Sequence, residues 1–162
     1  LCIASSRKSG PADISPRGDA PGFGLVIDER HILIPDRAGN NRLDTASNII
    51  DNGHVGLIFM VPGLNETLRI NGRAEICTSS ELLNRLKVHG KVPKTGVLVK
   101  IDEVMFQCAK ALVRSRLSES DYKIDRSVMP TLGEILKDQI ETNMTSEEAE
   151  TAIQESLNKR LY

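Results

Sequence analysis

The chain has 162 residues, 40% of them hydrophobic, and its 21 Lys and Arg against 22 Asp and Glu leave a net charge of −1. That is enough apolar material for one domain with an appendage, and no apolar run approaches the roughly 18 residues of a membrane span. The near-neutral balance argues against general attraction to nucleic acid or an anionic membrane.

Leu1 to Ser6 reads as a strand, and Gly10-Pro11 turns the chain into a second, Ala12 to Arg17. The chain begins inside that first strand with no basic flank or cleavage pattern, which is read as a trimmed amino terminus and not a signal peptide. A bend rich in glycine and proline, Gly18 to Gly22, leads to Phe23 to Asp28, which forms a hairpin through Glu29-Arg30 with His31 to Pro35. Apolar residues at Leu43, Ala46, Ile49 and Ile50 predict a helix from about Arg42 to Ile50, stopped at Asp51-Asn52-Gly53. Val55 to Val61 is an apolar run expected to be buried on both faces.

Glu66 to Thr78 is a long strand, and Ser79 or Ser80 caps a short helix carrying Leu82, Leu83 and Leu86. Thr95 to Cys108 is the last strand. Six or more strands with few helices between them predict a mainly β fold, a closed or nearly closed antiparallel barrel of six strands. Thr131 to Glu141 and Ser146 to Leu157 read as amphipathic helices, the second behind a capping box at Thr145 to Glu148. The expected division is a barrel domain at 1–117 and a helical extension at 118–162 that packs on the barrel or on a second subunit.

Chemistry is sparse. Cys2, Cys77 and Cys108 are far apart with no C-x-x-C pair, which argues for reduced thiols in a cytoplasmic setting and against a zinc site. His31, His54 and His89 are equally scattered, and no H-E-x-x-H, P-loop or G-x-S-x-G occurs, so neither a metal site nor a set of catalytic residues is assigned. What stands out is cationic. In IPDRAGNNRLD, residues 34–44, Arg37 and Arg42 flank the start of a helix, where free N–H groups and the macrodipole favour an anion such as phosphate. The plainer reading is that Asn40 or Asn41 caps the helix and the arginines are solvated.

Alternation along Glu66 to Arg73 puts Thr67, Arg69, Asn71 and Arg73 on one face, either solvated or aimed at the same anion. In Ser15 to Asp19, Pro16 marks an edge strand and Gly18 lets the backbone around Arg17 approach a planar ligand, unless this is an ordinary barrel corner. Lys110 and Arg114 share a helix face after the last strand, with Ser115 and Arg116 beside them, where a solvated basic face is the default. Three basic clusters at element ends in a nearly neutral chain favour convergence on one anion.

SPRGD, IPDRAGNNRLD, an apolar strand, ETLRINGRAEI and CAKALVRSRL, in that order, resemble the pyridoxamine 5′-phosphate oxidase-related FMN-binding family, and more closely its uncharacterised bacterial branch. The resemblance covers residues 1 to about 117. It implies a split β-barrel homodimer with FMN at the subunit interface, no nucleic acid and no membrane. On that pattern Asn41 and Arg42 hold the FMN phosphate, Arg17 lies beside the flavin, and Pro35 and Asp36 line the ring. Thr67 stands where relatives carry a flavin-contacting glutamine. Strand parity adds Arg69 to the phosphate cluster, and Lys110, Arg114 and Ser115 face the cofactor or the dimer seam.

The carboxyl end departs from the pattern, since the oxidases carry a tryptophan- and arginine-bearing segment there and this chain has no Trp. The reading is therefore an FMN-dependent oxidoreductase acting on a small substrate, with or without a phosphate group. A non-catalytic flavin-binding or haem-binding split barrel is the alternative.

Overall fold

The computed structural model describes residues 1–39, 42–140, 143–159 and 161–162. Two compact units emerge, Leu1–Glu119 and Ser120–Tyr162. In the first, seven strands form one antiparallel sheet: β1 (Cys2–Ser6), β2 (Ala12–Pro16), β3 (Leu25–Asp28), β4 (His31–Asp36), β5 (His54–Phe59), β6 (Thr67–Cys77) and β7 (Thr95–Gln107). Their order is β2-β1-β5-β6-β7-β4-β3. The fold is thus the mainly β split barrel with C-terminal helices that the sequence predicts, with seven strands in place of six. All seven strand segments read along the sequence are present, one more than a six-stranded barrel needs, and β2 and β3 end the sheet without pairing with each other. Pro16, which has no N–H to give a ladder, sits on the edge strand β2 as expected.

The main core lies on one face of the sheet. Ile3, Leu57 and Ile70 stand opposite one another across β1, β5 and β6, and Ile32, Ile34, Val97 and Val99 continue the layer across β4 and β7. Helix α1 (Asp44–Asp51) closes this face by burying Thr45, Asn48 and Ile49, and the Asn48 amide donates to Ser5 Oγ at 3.1 Å so that neither polar group is buried alone. A smaller core on the opposite face joins Leu33 and Cys77 to Leu86, just past the short helix α2 (Ser80–Asn84). Ser79 caps α2 by accepting from the Leu82 N–H.

That second face is covered only in part. β5 is not buried on both faces as its apolar run predicts: Val55 and Leu57 are buried, but Gly56 and Ile58 are half-buried. β7 outruns its partner β4, which stops pairing at Lys100, so residues 102–107 are exposed and leave Val104, Met105 and Phe106 in solvent along an open edge.

β6 and β7 approach closely at a bulge after Asn71. A Cβ on Gly72 would lie 2.2 Å from the Lys100 carbonyl oxygen, so only glycine fits. Helix α3 (Lys110–Ser115) follows β7.

In the second unit, α4 (Leu132–Gln139) and α5 (Ser146–Lys159) each start with a reciprocal cap, expected from the sequence only at Thr145. Thr131 Oγ1 accepts from the Glu134 N–H while the Glu134 carboxylate accepts from the Thr131 N–H at 2.7 Å. Gly133 lets the helices touch, since a Cβ there would lie 2.4 Å from the Ser146 carbonyl oxygen, and its N–H donates to Glu150. The predicted end of α4 at Glu141 lies outside the described residues.

Two outcomes follow. Gly72→Ala should destabilise the first unit by about 2–3 kcal/mol through forced separation of β6 from β7, read as a lower urea midpoint. The Thr131 N–H, then the Thr131 hydroxyl, hold the Glu134 carboxyl below its ordinary value. A carboxyl depressed in the folded state stabilises it above the unfolded value of 4.5 and loses that contribution as pH falls through the lower folded value. The protection factor of the Thr131 amide, its exchange rate relative to an unstructured peptide at the same pH, should therefore fall on acidification below that pH, and in Glu134→Gln it should be low already at neutrality.

Candidate functional site

The bend after β2 and the end of β4 are fastened to each other by two crossed ion pairs. Arg17 Nη1 donates to Asp36 Oδ1 at 2.8 Å, and Arg37 Nε donates to Asp19 Oδ2. Asp19 is nearly fully buried, its side chain 1% exposed, and Arg37 also donates from Nη2 to the Leu86 carbonyl at 2.8 Å, tying in the segment after α2. Thr95 Oγ1 donates to the second oxygen of Asp36 at 3.3 Å, so the start of β7 joins the same knot. Breaking a buried pair leaves one charge uncompensated, at a cost of about 3–5 kcal/mol, so these contacts hold the bend in one geometry.

Beside the knot opens a cleft of about 380 Å³ lined by Ser15, Pro16, Arg17, Gly18, Phe23, Pro35, Arg37, Ala38 and Gly39. One wall is apolar, from Phe23 and the prolines, and the other cationic. Arg17 spends Nη1 on Asp36, yet its Nε is buried with no hydrogen-bond partner among the described residues. An unmet buried donor on a charged group costs more than a hydrogen bond is normally worth, unless an acceptor arrives from outside. The chain leaves the cleft at Gly39 and resumes toward α1. Leu43, the N-cap of α1, takes a left-handed conformation at φ 58°, and its side chain supplies no cap. A helix start without a side-chain cap is a second place where an anion would find N–H donors.

Of the residues singled out in the sequence, the structure brings Arg17, Pro35 and Asp36 together here, whereas Asn41 lies outside the described residues. Arg42 is exposed at the head of α1 and pairs with Asp44 at 2.8 Å. Thr67 is buried at the start of β6. Arg69 is exposed, donates to Gln107 Oε1 at 3.3 Å, and lines a separate hollow of about 260 Å³ with Cys2, Gly56 and Asn71. Lys110, Arg114 and Ser115 are exposed on α3, and none of them lines the cleft.

Sequence reading missed the buried partner Asp19 and the wall residue Phe23. The available signal was reciprocal charge: Arg17-x-Asp19 faces Asp36-Arg37, each segment carrying one cation and one anion. No group of His, Cys, Asp and Glu among the described residues could hold a metal ion, and no described helix is long and apolar enough to cross a membrane.

The crystal structure of HupZ from Group A Streptococcus superposes with a TM-score of 0.52 at 20% identity, covering 65% of this chain and 82% of that one. An FMN-binding protein from Syntrophomonas wolfei gives 0.49 at 11% identity, covering 66% and 76%. A protein from Clostridium acetobutylicum related to general stress protein 26, of the pyridoxinephosphate oxidase family, gives 0.45 at 13%, covering 65% and 77%. No curated protein sequence matches the chain. The family model described as pyridoxamine 5′-phosphate oxidase matches residues 1–108, the whole sheet and more than half of the chain, and the chain accordingly belongs to the pyridoxamine 5′-phosphate oxidase family.

Proposed function

We propose that the protein is an FMN-binding flavoprotein, an oxidoreductase acting on a small substrate with or without a phosphate group. The observation that carries this reading is the buried Arg17 Nε, a charged donor without an acceptor in a cleft whose other wall is apolar. A flavin matches both halves of that wall, with a flat ring against Phe23 and Pro35 and polar ring edges or a phosphate for the cations. The residues present therefore fit the group. Asn41 and Arg42 would hold its phosphate at the start of α1, with Arg69 as a further cation. Arg42 is free to turn toward it, because an ion pair as exposed as Arg42–Asp44 contributes little. Arg17, Pro35 and Asp36 would orient the ring, and Thr67 would contact its edge.

When bound, FMN supplies hydride transfer, while the chain supplies orientation and charge. This division suits the cleft. Its described lining contains no nucleophile–base pair, and both nearby carboxylates, Asp19 and Asp36, are committed to arginines. The same observation favours a second reading, a flavin carrier without catalysis. Haem fits less well, because the described lining includes no His, Cys, Met or Tyr to ligate iron.

A homodimer completes the reading. Val104, Met105 and Phe106 lie exposed on the open edge of β7, and the neighbouring sheet face around Gly56 and Ile58 is only half-buried. Apolar surface of this kind on a sheet edge marks a pairing site. A two-fold partner would cover it and could bring Lys110, Arg114 and Ser115 of its own α3 toward the cofactor. The remaining part of the reading is a cytoplasmic location.

Titration of the protein with FMN should quench flavin fluorescence with a stoichiometry of about one per chain. Arg42→Ala and Arg17→Gln should each weaken binding by about 1.5–3 kcal/mol, the value of one charged hydrogen bond. A protein with no affinity for FMN would overturn the proposal. Stopped-flow mixing with NADH, NADPH and pyridoxamine phosphate then separates the two readings, since inertness toward all three favours the carrier. Sedimentation equilibrium should give twice the chain mass, with Phe106→Asp shifting it to monomer and releasing flavin. A monomer that retains FMN would exclude the shared site.

A further inference from the structure

One row of directly paired residues is basic across four strands of the sheet before it meets Asp28, opposite His31 on β3. His54 stands opposite Arg73, Arg73 opposite Lys100, and Lys100 opposite His31, on four successive strands. Their chain neighbours Val55, Val99 and Ile32 belong to the main core, so alternation puts the four basic side chains on the other face. Directly opposed side chains have Cβ atoms about 4.5–5.5 Å apart, where like charges destabilise a sheet. A merely solvated surface relieves this by interleaving acids. Here neither Arg73 nor Lys100 makes a side-chain hydrogen bond or ion pair within the described chain.

The backbone holds the row together where a looser sheet would spread it. Gly72 lets β6 close on the Lys100 carbonyl, and the register returns after the bulge with Arg73 facing Lys100. His31 is oriented through Nδ1, 2.9 Å from the Asp28 carboxylate, which leaves Nε2 as the nitrogen available to a ligand. A hollow of about 210 Å³ lies over these groups, lined by His31, Arg73, Ala74, Glu75, Leu98 and Lys100. It shares no lining residue with the cleft at Arg17. Of the nearby acids, Glu103 is taken by Asn71 at 2.7 Å and Asp28 by His31, which leaves Glu75 as the carboxylate in the hollow.

We propose that this row is a second anion site, with Arg73 and Lys100 as the charged donors that hold the phosphate group of a small ligand over the sheet. A bound phosphate removes the repulsion that the row otherwise carries. Glu75 disfavours further negative charge, which selects a single phosphate group over a polyphosphate or a nucleic-acid strand.

The test follows the side-chain nitrogen resonances of Arg73 and Lys100 in the full chain during titration with inorganic phosphate at constant ionic strength. These signals report this row whether or not the Arg17 cleft binds flavin. Saturable shifts are expected, with affinity reduced about tenfold or more in Arg73→Ala and Lys100→Ala and increased in Glu75→Gln. In phosphate-free buffer Lys100→Gln should raise the thermal midpoint, and phosphate should raise it for the unaltered chain but not for the variant. A residue with a purely structural role would do neither. Tighter binding of glycerol 3-phosphate than of phosphate would assign the site to phosphomonoesters, and the reverse order to the free ion. Shifts that do not saturate, an Arg73→Ala variant with unchanged affinity, or a stronger response to a short single-stranded DNA would each overturn the proposal.

Discussion

The crossed pairing of Arg17 with Asp36 and of Arg37 with Asp19 determines where everything around the cleft can be. Either pair alone would let one segment pivot about the other. Two pairs of opposite sense fix both position and orientation, and the carbonyl of Leu86 and the hydroxyl of Thr95 anchor the knot to two further parts of the chain. The cleft is thus a by-product of rigid electrostatics and not of a flexible loop. That suits a site in which the bound group does the chemistry and the protein must only hold still.

The same knot separates cations with structural work from cations that are available. Arg37 looks in the sequence like a ligand for an anion, yet its guanidinium is committed to Asp19 and to a carbonyl. Arg17 is committed only in part, and its leftover donor is the one that points to an external acceptor. Counting arginines near a cleft would have treated the two alike.

The architecture was legible from the sequence because its signals are local. Alternation in β6, turn residues around the strands, and the caps at Ser79 and Thr145 each specify a few adjacent residues. What escaped is non-local. The reciprocal charges of Arg17-x-Asp19 and Asp36-Arg37 do not by themselves say that the two segments meet, and the exposed end of β7 depends on β4 being shorter than β6. The start of α1 was misjudged for a different reason. A leucine in the left-handed region costs about 1–2 kcal/mol, so no pattern would assign Leu43 to that conformation, and the helix begins at Asp44 and not at Arg42. The candidate site was legible only where its residues cluster in sequence, at Arg17 and at Pro35-Asp36. Thr67, Arg69 and the cations of α3, distant in sequence from those segments, do not line the cleft that one chain forms.

The strand order also dictates a schedule. β4 pairs with β3 at once, but its other edge waits for β7, which follows only after α1, β5, β6 and α2. Closing so long a loop is entropically costly and slows folding. At about 5–20 residues per second of synthesis, Ile32, Leu33 and Ile34 stay half-paired for several seconds before Val97 to Val99 arrive. Thr95, which completes the hold on Asp36, arrives with the same strand. A nascent chain therefore carries an aggregation-prone edge and an unfinished cleft over the same interval, and a single event, the docking of β7, ends both.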